Sequence, residues 1–528
     1  MRGALCVWRR ITNTVIPAQA GMTVLLRRQV DADFFMIANV IISAFLFYLS
    51  FPNYWNLHGL WPLAWIALVP FFASIDGKSI SIRFLIGIFY GIVSYSLLLQ
   101  WLWPVHWAGT VLLVLAMAIG PVVFALLYRP INQPLWDCVY VPALWVASEW
   151  ARTITLKGFC WGLGYSQSFE PALIQLASWT GPYGVGFVIV FVNHCLYQSL
   201  KTPLKRKMYI GLAASMFLIV YTTGLWSIRT HEKETEPLLV CAIQPNISPV
   251  KKLSLKDFDD NIQSQVTLTE KALLGRPVDM IVWPETSFGA DVFKDSVWYP
   301  RLKEISVENN AVFLFGAVPF IKGESFNSAV VLDQKGNLAG IHHKQFLVPI
   351  SEYQPKWIAF SIFRNILNNH RFNFTPGKKH DAFNVTGEYR RSFRFGTVIC
   401  SETCYPSLSR KLAQEGAGFI IAILNDGWFN QPAALMMHAE NAIMRAVESG
   451  LDIVSVGNTG WTFQVNARGV IDKSQGLPLQ KVAYGTFRVS GQGKPTMYCR
   501  IGDFFAKACT LFVIMFLIFQ RRKFLKKL

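Results

Sequence analysis

Apolar residues gather into long unbroken runs at the start of this chain and into short, punctuated ones later. Seven runs, at about 34–51, 58–75, 82–102, 109–128, 136–152, 183–200 and 208–226, each approach the ~20 residues an α-helix needs to cross a bilayer's hydrocarbon. The fifth is the weakest, because Glu149 and Arg152 sit near its end. An eighth run, about 504–520, ends in Arg521-Arg522-Lys523 and Lys526-Lys527. Over about 227–503 short β-type runs alternate with helical ones. Strands are expected at Leu238–Ile247, Met280–Pro284, Ala311–Val318, Ser328–Asp333, Phe395–Cys400, Gly418–Asn425, Asp452–Gly457, Thr462–Val465 and Tyr484–Val489. Helices are expected at 255–274, 298–309, 405–415 and 434–449, and Lys335-Gly336-Asn337 and Asn466-Ala467-Arg468-Gly469 read as hairpin turns. Strands separated by helices predict a layered α/β or α+β domain.

The pattern divides the chain into four parts: a cytoplasmic, disordered extension (1–33), seven transmembrane helices (34–226), an outer domain (227–503), and a last helix with a basic tail (504–528). Asn13 and Pro17 interrupt any signal-peptide core, and translation starting at Met22 or Met36 would suit the extension. Residues 354–376 stand apart. Trp357, Ile358, Phe360, Ile362, Phe363, Ile366 and Leu367 alternate with Lys356, Arg364 and Arg371. This suits a helix lying in a membrane interface, or an ordinary surface helix packed on the core.

Composition supports the membrane reading. Only 16% of residues are charged, against ~25% in an ordinary soluble domain. The net charge of +18 gathers at the ends of apolar runs, and no nucleic-acid motif accompanies it. With the N-terminus in the cytoplasm, inward loops carry Lys78, Arg83, Arg129, Lys201, Lys205, Arg206 and Lys207. The outward loops 52–57 and 103–108 carry neither Lys nor Arg, so the charge bias places 227–503 outside. Arg152 and Lys157 break the pattern. Nine scattered cysteines without a CxxC imply neither a disulfide framework nor a zinc site.

Three stretches carry the chemistry, and each follows a β-type run. They are Trp283-Pro284-Glu285-Thr286, His343-Lys344 through Leu347-Val348-Pro349, and Gly396 through Cys400-Ser401-Glu402. A thiolate is a strong nucleophile whose pKa falls beside a cation such as Lys344. Glu285 could take the thiol proton and return one to the leaving group. Lys344 and the N–H following Cys400 could hold an oxyanion. Glu352 could position Lys344 or an incoming amine, or form a structural salt bridge. Singly, each residue also reads blandly: Cys400 as a small buried hydrophobe, Glu285 as an N-cap, Lys344 as a solvated loop residue, His342 and His343 as a solvated pair rather than a relay. GxSxG, H-x4-D, HExxH and P-loop patterns are absent.

The Glu285, Lys344 and Cys400 segments resemble the Glu–Lys–Cys triad of the nitrilase superfamily. With apolar runs on both sides, the chain as a whole resembles the bacterial apolipoprotein N-acyltransferases. Further matches are Pro142-Ala143-Leu144-Trp145 with Glu149, Gly158-Phe159-Cys160-Trp161, Gly164-Tyr165-Ser166-Gln167, Glu352-Tyr353, and Asn425-Asp426 with Trp428-Phe429. The resemblance implies an αββα sandwich on about eight membrane helices, in a bacterial inner membrane with the catalytic domain in the periplasm. It also implies a monomer without cofactor or metal that moves an acyl chain from a phospholipid, typically phosphatidylethanolamine, onto Cys400 as a thioester. The acyl chain then passes to the amino group of a lipoprotein's S-diacylglyceryl-cysteine. Glu285 would be base, Lys344 oxyanion holder, Cys400 nucleophile, and Glu352, Glu402 and Ser401 supporting residues; Trp161, Trp357, Trp428 and Phe429 would line the lipid groove. The chain departs from the family at Ser401 (usually aromatic), at Val250-Lys251-Lys252-Leu253 (often with a Trp) and at Cys160 (usually Pro).

Three other functions compete. A tethered amidase would use the same triad on a small soluble substrate, but leaves the apolar runs unexplained. A transporter would want more intramembrane charge than Glu149. An inert scaffold would not need an intact triad.

Overall fold

The computed structural model describes residues 33–525, apart from 132, 231–235, 253, 355–372, 380–381, 387–391, 430 and 473. The extension at 1–32, Trp357 and most of the 354–376 stretch therefore lie outside the described residues.

The apolar runs become helices α1 (Asp33–Leu49), α2 (Trp61–Ile75), α3 (Ile80–Leu98), α4 (Trp103–Leu127), α5 (Pro134–Thr155), α6 (Pro182–Lys201) and α7 (Arg206–Arg229). The second run departs from expectation. It begins as a 3-10 turn (Trp61–Trp65) and resumes as Val69–Ile75, because Pro62 and Pro70 each remove a backbone donor and restart the helix. By length and composition, five described helices can cross a membrane: α3, α4, α6, α7 and the C-terminal helix. Helix α5 is long enough but carries buried charge. Arg152 donates to Tyr95 Oη (2.6 Å) and to the Trp161 carbonyl (2.7 Å), and Glu149 accepts from Leu163 N (2.9 Å). The charges that weaken this run in the sequence are thus bonded inside the bundle.

The rest is two stacked sheets with helices on their outer faces. The first half contains β1 (Leu238–Gln244), α8 (Phe258–Leu273), β2 (Met280–Val282), α9 (Trp298–Glu308), β3 (Val312–Ala317), β4 (Ser328–Leu332) and β5 (Leu338–His343). The second contains β6 (Phe383–Thr386), β7 (Ser392–Ile399), α10 (Pro406–Gln414), β8 (Phe419–Leu424), α11 (Pro432–Ser449), β9 (Asp452–Gly457), β10 (Phe463–Val465) and β11 (Ala483–Val489). Helix α12 (Phe504–Leu525) returns to the bundle and packs on α5. The sheets run β11-β1-β2-β3-β4-β5 and β10-β9-β8-β7-β6. Strands β1, β2 and β3 are parallel; β4 reverses and β5 reverses again. β7, β8 and β9 are also parallel. The predicted αββα sandwich is present.

Three cores hold the domain. Val240, Val282, Leu314 and Val331 from the first sheet meet Phe395, Ile399, Ile421 and Val454 from the second. Ile262, Val266, Leu302 and Ile305 of α8 and α9 cover the first sheet's other face. The third core, under α10 and α11, is continuous with the membrane bundle. Every residue from Ala433 to Ser449 is buried, because α11 lies between the second sheet and the bundle. Its many alanines allow that close approach on both sides.

Candidate active site

Glu285, Lys344, Cys400 and Asp426 each follow the C-terminal end of a strand, two from each sheet. The turn carrying Glu285 is fixed by Trp283, which is fully buried and donates from Nε1 to Thr269 Oγ1 (2.9 Å). It also presses on β3. A Cβ on Gly316 would stand 2.5 Å from the Pro284 carbonyl oxygen and 2.7 Å from the Glu285 Cα, so this position must be glycine.

Lys344 is buried, and its ammonium lies 2.8 Å from Glu352 Oε1 and 3.3 Å from Glu285 Oε1. Asn327 Nδ2 donates to the same two oxygens, at 2.7 Å to Glu285 and 3.0 Å to Glu352. Glu352 is held in turn by Val348 N on Oε2 (2.7 Å). Two carboxylates, one ammonium and one amide therefore form a closed buried square. Burial works against charge on Lys344, but Glu285 and Glu352 outweigh it and raise its pKa well above the usual lysine value.

Cys400 turns the chain out of β7 at φ 52°, in the left-handed region unusual for a side-chain-bearing residue. A 3-10 turn (Cys400–Cys404) follows. Lys344 does pull the Cys400 thiol pKa down, but burial and the charge of Glu285 push harder, with Asp426 and Glu352 adding to them. The net shift is upward, so the lowering that Lys344 exerts is outweighed. The resting group is a thiol and needs a base.

Glu402 is fully buried below the nucleophile. Its Oε2 accepts from Ile399 N (2.8 Å) and meets His342 Nε2 at 3.0 Å, and its Oε1 accepts from Gln345 N (2.6 Å). The two histidines are not a solvated pair. His342 is buried against Glu402, and His343 Nδ1 is 2.7 Å from Ser328 Oγ with its pKa lowered to about 4, by burial and then by His342. Ser401 Oγ donates to the Phe346 carbonyl at 3.3 Å.

Four residues at the site have contacts to which the sequence reading assigned no role. Asn327 bridges the carboxylates, and nothing about an isolated Asn before a strand announces that. Lys252, visible only as a departure from the family, donates to the Glu285 carbonyl (2.9 Å). Its pKa is lowered to about 7 by burial, against the pull of Glu285. Asp426, quoted only within a motif, pairs with His438 of α11 (Oδ1–Nδ1 2.8 Å). Asn425 reaches back across the sheets to Thr286 Oγ1 (3.0 Å), beside Glu285.

On the membrane side, Phe346 stacks on Tyr405 (3.9 Å), and Phe429 meets both Trp101 of the bundle (4.7 Å) and His438 (5.5 Å) edge to face. Trp428 is half-buried beside it. Trp161 is buried within the seam, against Phe159. The seam is bonded as well as packed. Cys160 N donates to the Cys404 carbonyl (3.0 Å), and Arg445 donates to Tyr165 Oη (2.5 Å) and to the Thr403 carbonyl (3.3 Å) while pairing with Glu448 (2.6 Å).

Residues 43–195 match the apolipoprotein N-acyltransferase N-terminal domain, and residues 239–485 match the carbon-nitrogen hydrolase family. A Geobacter metallireducens protein named apolipoprotein N-acyltransferase is 31% identical over 510 residues, covering 91% of this chain and 95% of its own. The chain belongs to the apolipoprotein N-acyltransferases. A Thermotoga maritima member is 27% identical over 501 residues, covering 92% of this chain and 93% of its own. The solved structure of Saccharomyces cerevisiae Nit3, a member of branch 10 of the nitrilase superfamily, aligns with 49% of this chain and 93% of its own, at 16% identity and a TM-score of 0.38. As an N-acyltransferase-family enzyme with a carbon-nitrogen hydrolase domain, the chain joins a thiol site to several apolar helices through one shared core.

Proposed function

We propose that this enzyme moves a fatty acyl chain from a phospholipid to the free amine of an S-diacylglyceryl-cysteine, through a thioester on Cys400. The observation that carries this reading is the closed Glu285–Lys344–Glu352–Asn327 square beside a raised thiol at a strand end, on a domain whose core runs into a membrane bundle. Glu285 takes the thiol proton as Sγ attacks the ester carbonyl, and returns it to the departing glycerol oxygen. Lys344 and the Ser401 N–H hold the oxyanion. Glu352 and Asn327 keep Lys344 charged and aimed. Glu402 shapes the turn rather than exchanging protons, since its oxygens are taken by Ile399, Gln345 and His342.

Phosphatidylethanolamine is the donor we propose, and diacylglyceryl apolipoproteins are the acceptors. Lys and Arg bias in the loops supports a cytoplasmic N-terminus and a catalytic domain on the periplasmic side of a bacterial inner membrane. Trp428 and Phe429, beside Trp101, are suited to guide the acyl chain. Both substrates are lipid-anchored, so holding the site at the surface raises their effective concentration. The test uses the full chain in phosphatidylethanolamine vesicles. Amide-linked acylation of a diacylglyceryl-cysteine peptide supports the reading. Ammonia released from soluble amides, with no peptide acylation, would replace it with the amidase.

A further inference from the structure

The two halves of the proposed reaction differ in their proton count. In the first, the thiol proton passes through Glu285 to the glycerol oxygen, the C–S bond forms, the C–O bond breaks, and no proton is gained or lost. In the second, the amine arrives as an ammonium, because an α-amino group has a pKa of ~7.7–8.0. It must shed one proton before it can attack. The C–N bond then forms, the C–S bond breaks, and a second proton passes through Glu285 to the departing Sγ. One proton is left over, and Glu285, engaged with Lys344 and Asn327, has its own transfer to perform.

A second proton-handling pair stands beside the nucleophile. Cys400 Sγ, a carboxylate oxygen of Asp426 and a ring nitrogen of His438 all lie within 4.8 Å of one another. Asp426 and His438 are both buried. Asp426 Oδ1 stands 2.8 Å from His438 Nδ1, and an imidazole beside a carboxylate can take up and release a proton. Phe429 meets the His438 ring edge to face and also meets Trp101 of the bundle, the side from which a lipid-anchored amine would come. We infer that His438 is the base that removes the surplus proton from the incoming ammonium in the second half-reaction, with Asp426 as its positioning residue. The proton then leaves to solvent.

The groups facing His438 agree with this role. Burial opposes its charge, Asp426 and more weakly Glu285 favour it, Lys344 disfavours it, and the net shift is upward from 6.5. That shift makes the imidazole a stronger base toward the incoming ammonium. It also means that the second half-reaction alone slows as pH falls through the raised value.

This inference rests on the acyl-transfer reading, and its test separates the two. Wild type, His438→Gln and Asp426→Asn are loaded in phosphatidylethanolamine vesicles. The thioester is then chased either with a diacylglyceryl-cysteine peptide or with hydroxylamine, which is largely uncharged at neutral pH. Both variants are expected to form the thioester at close to the wild-type rate. Discharge to the peptide falls about 10²-fold, in the range of a lost general base, and recovers partly as pH rises. Discharge to hydroxylamine stays near wild type. Equal slowing with both nucleophiles, unchanged discharge to the peptide, or failure of both variants to form thioester would overturn the assignment. A wild-type enzyme that forms no thioester would overturn the acyl-transfer reading itself.

Discussion

His342 Nε2 and Glu402 Oε2 meet at 3.0 Å across the two sheets, with the pair fully enclosed. His342 is the penultimate residue of β5, which leads into Lys344, and Glu402 follows β7, which leads into Cys400. With Ile399 N and Gln345 N on the same carboxylate, this pair sets the distance between nucleophile and cation. Burial alone would raise the Glu402 pKa, but His342 and the backbone donors outweigh it and lower it. A carboxylate depressed in the folded state adds stability above its unfolded pKa of ~4.3 and loses it as pH falls through the lower folded value. Thermal unfolding between pH 6 and acid should therefore show a shallower pH slope in Glu402→Gln than in wild type, with a lower plateau at pH 6.

The thiol offers a test of opposite sign. Because Glu285 helps hold the Cys400 pKa up, Glu285→Gln should make the thiol easier to ionise. Iodoacetamide should alkylate Cys400 faster in this variant than in wild type near pH 8, read by mass spectrometry. Acyl transfer should nevertheless fall by about 10²–10⁴-fold, because the base is gone. A variant that is slower in both would contradict the account.

Stability and activity should also separate in the buried square. Lys344→Met alone leaves Glu285 and Glu352 as buried carboxylates without their cation, which costs about 3–5 kcal/mol, whereas Glu352→Gln leaves Lys344 paired with Glu285 and should cost less. Adding Glu352→Gln to Lys344→Met removes one of the two stranded carboxylates and should recover part of the lost thermal stability without recovering transfer. Paired melting curves and peptide-acylation assays give both readouts.

Arg445 tests the seam. It joins Tyr165 of the membrane side to the Thr403 carbonyl, three residues after the nucleophile, and pairs with Glu448. Burial lifts the Glu448 pKa to about 7, with Arg445 opposing. Arg445→Ala should lower stability by about 3–5 kcal/mol and slow thioester formation, whereas the double Arg445→Met/Glu448→Gln should recover stability more than rate.

Much of this was legible in the sequence. Apolar length marked the bundle, and all nine expected strands and four expected helices of the outer domain have counterparts. Strands β5 and β6 were not named, since Leu338–His343 includes Gly340 and lies partly exposed, and Phe383–Thr386 is a four-residue edge strand. The second apolar run hid its break because hydropathy does not register what Pro62 and Pro70 do to backbone donors. Glu285, Lys344 and Cys400 were marked by following β-type runs. Asn327, Lys252, Asp426 and His438 were not, because each reaches the site only through contacts that the stacked sheets and α11 supply. Glu402 was visible as a carboxylate two residues past the nucleophile, but its clamp on Ile399 and Gln345 depends on tertiary contact.

The most direct measurement of the central claim is the mass of the peptide carrying Cys400, from the full chain held in phosphatidylethanolamine vesicles, beside Cys400→Ala. The account predicts one fatty-acyl adduct on Cys400 that neutral hydroxylamine removes. The adduct should be absent from the variant and should disappear as a diacylglyceryl-cysteine peptide gains an amide-linked chain. A peptide acylated at the wild-type rate by Cys400→Ala, or a wild-type protein that never carries the adduct, would contradict it.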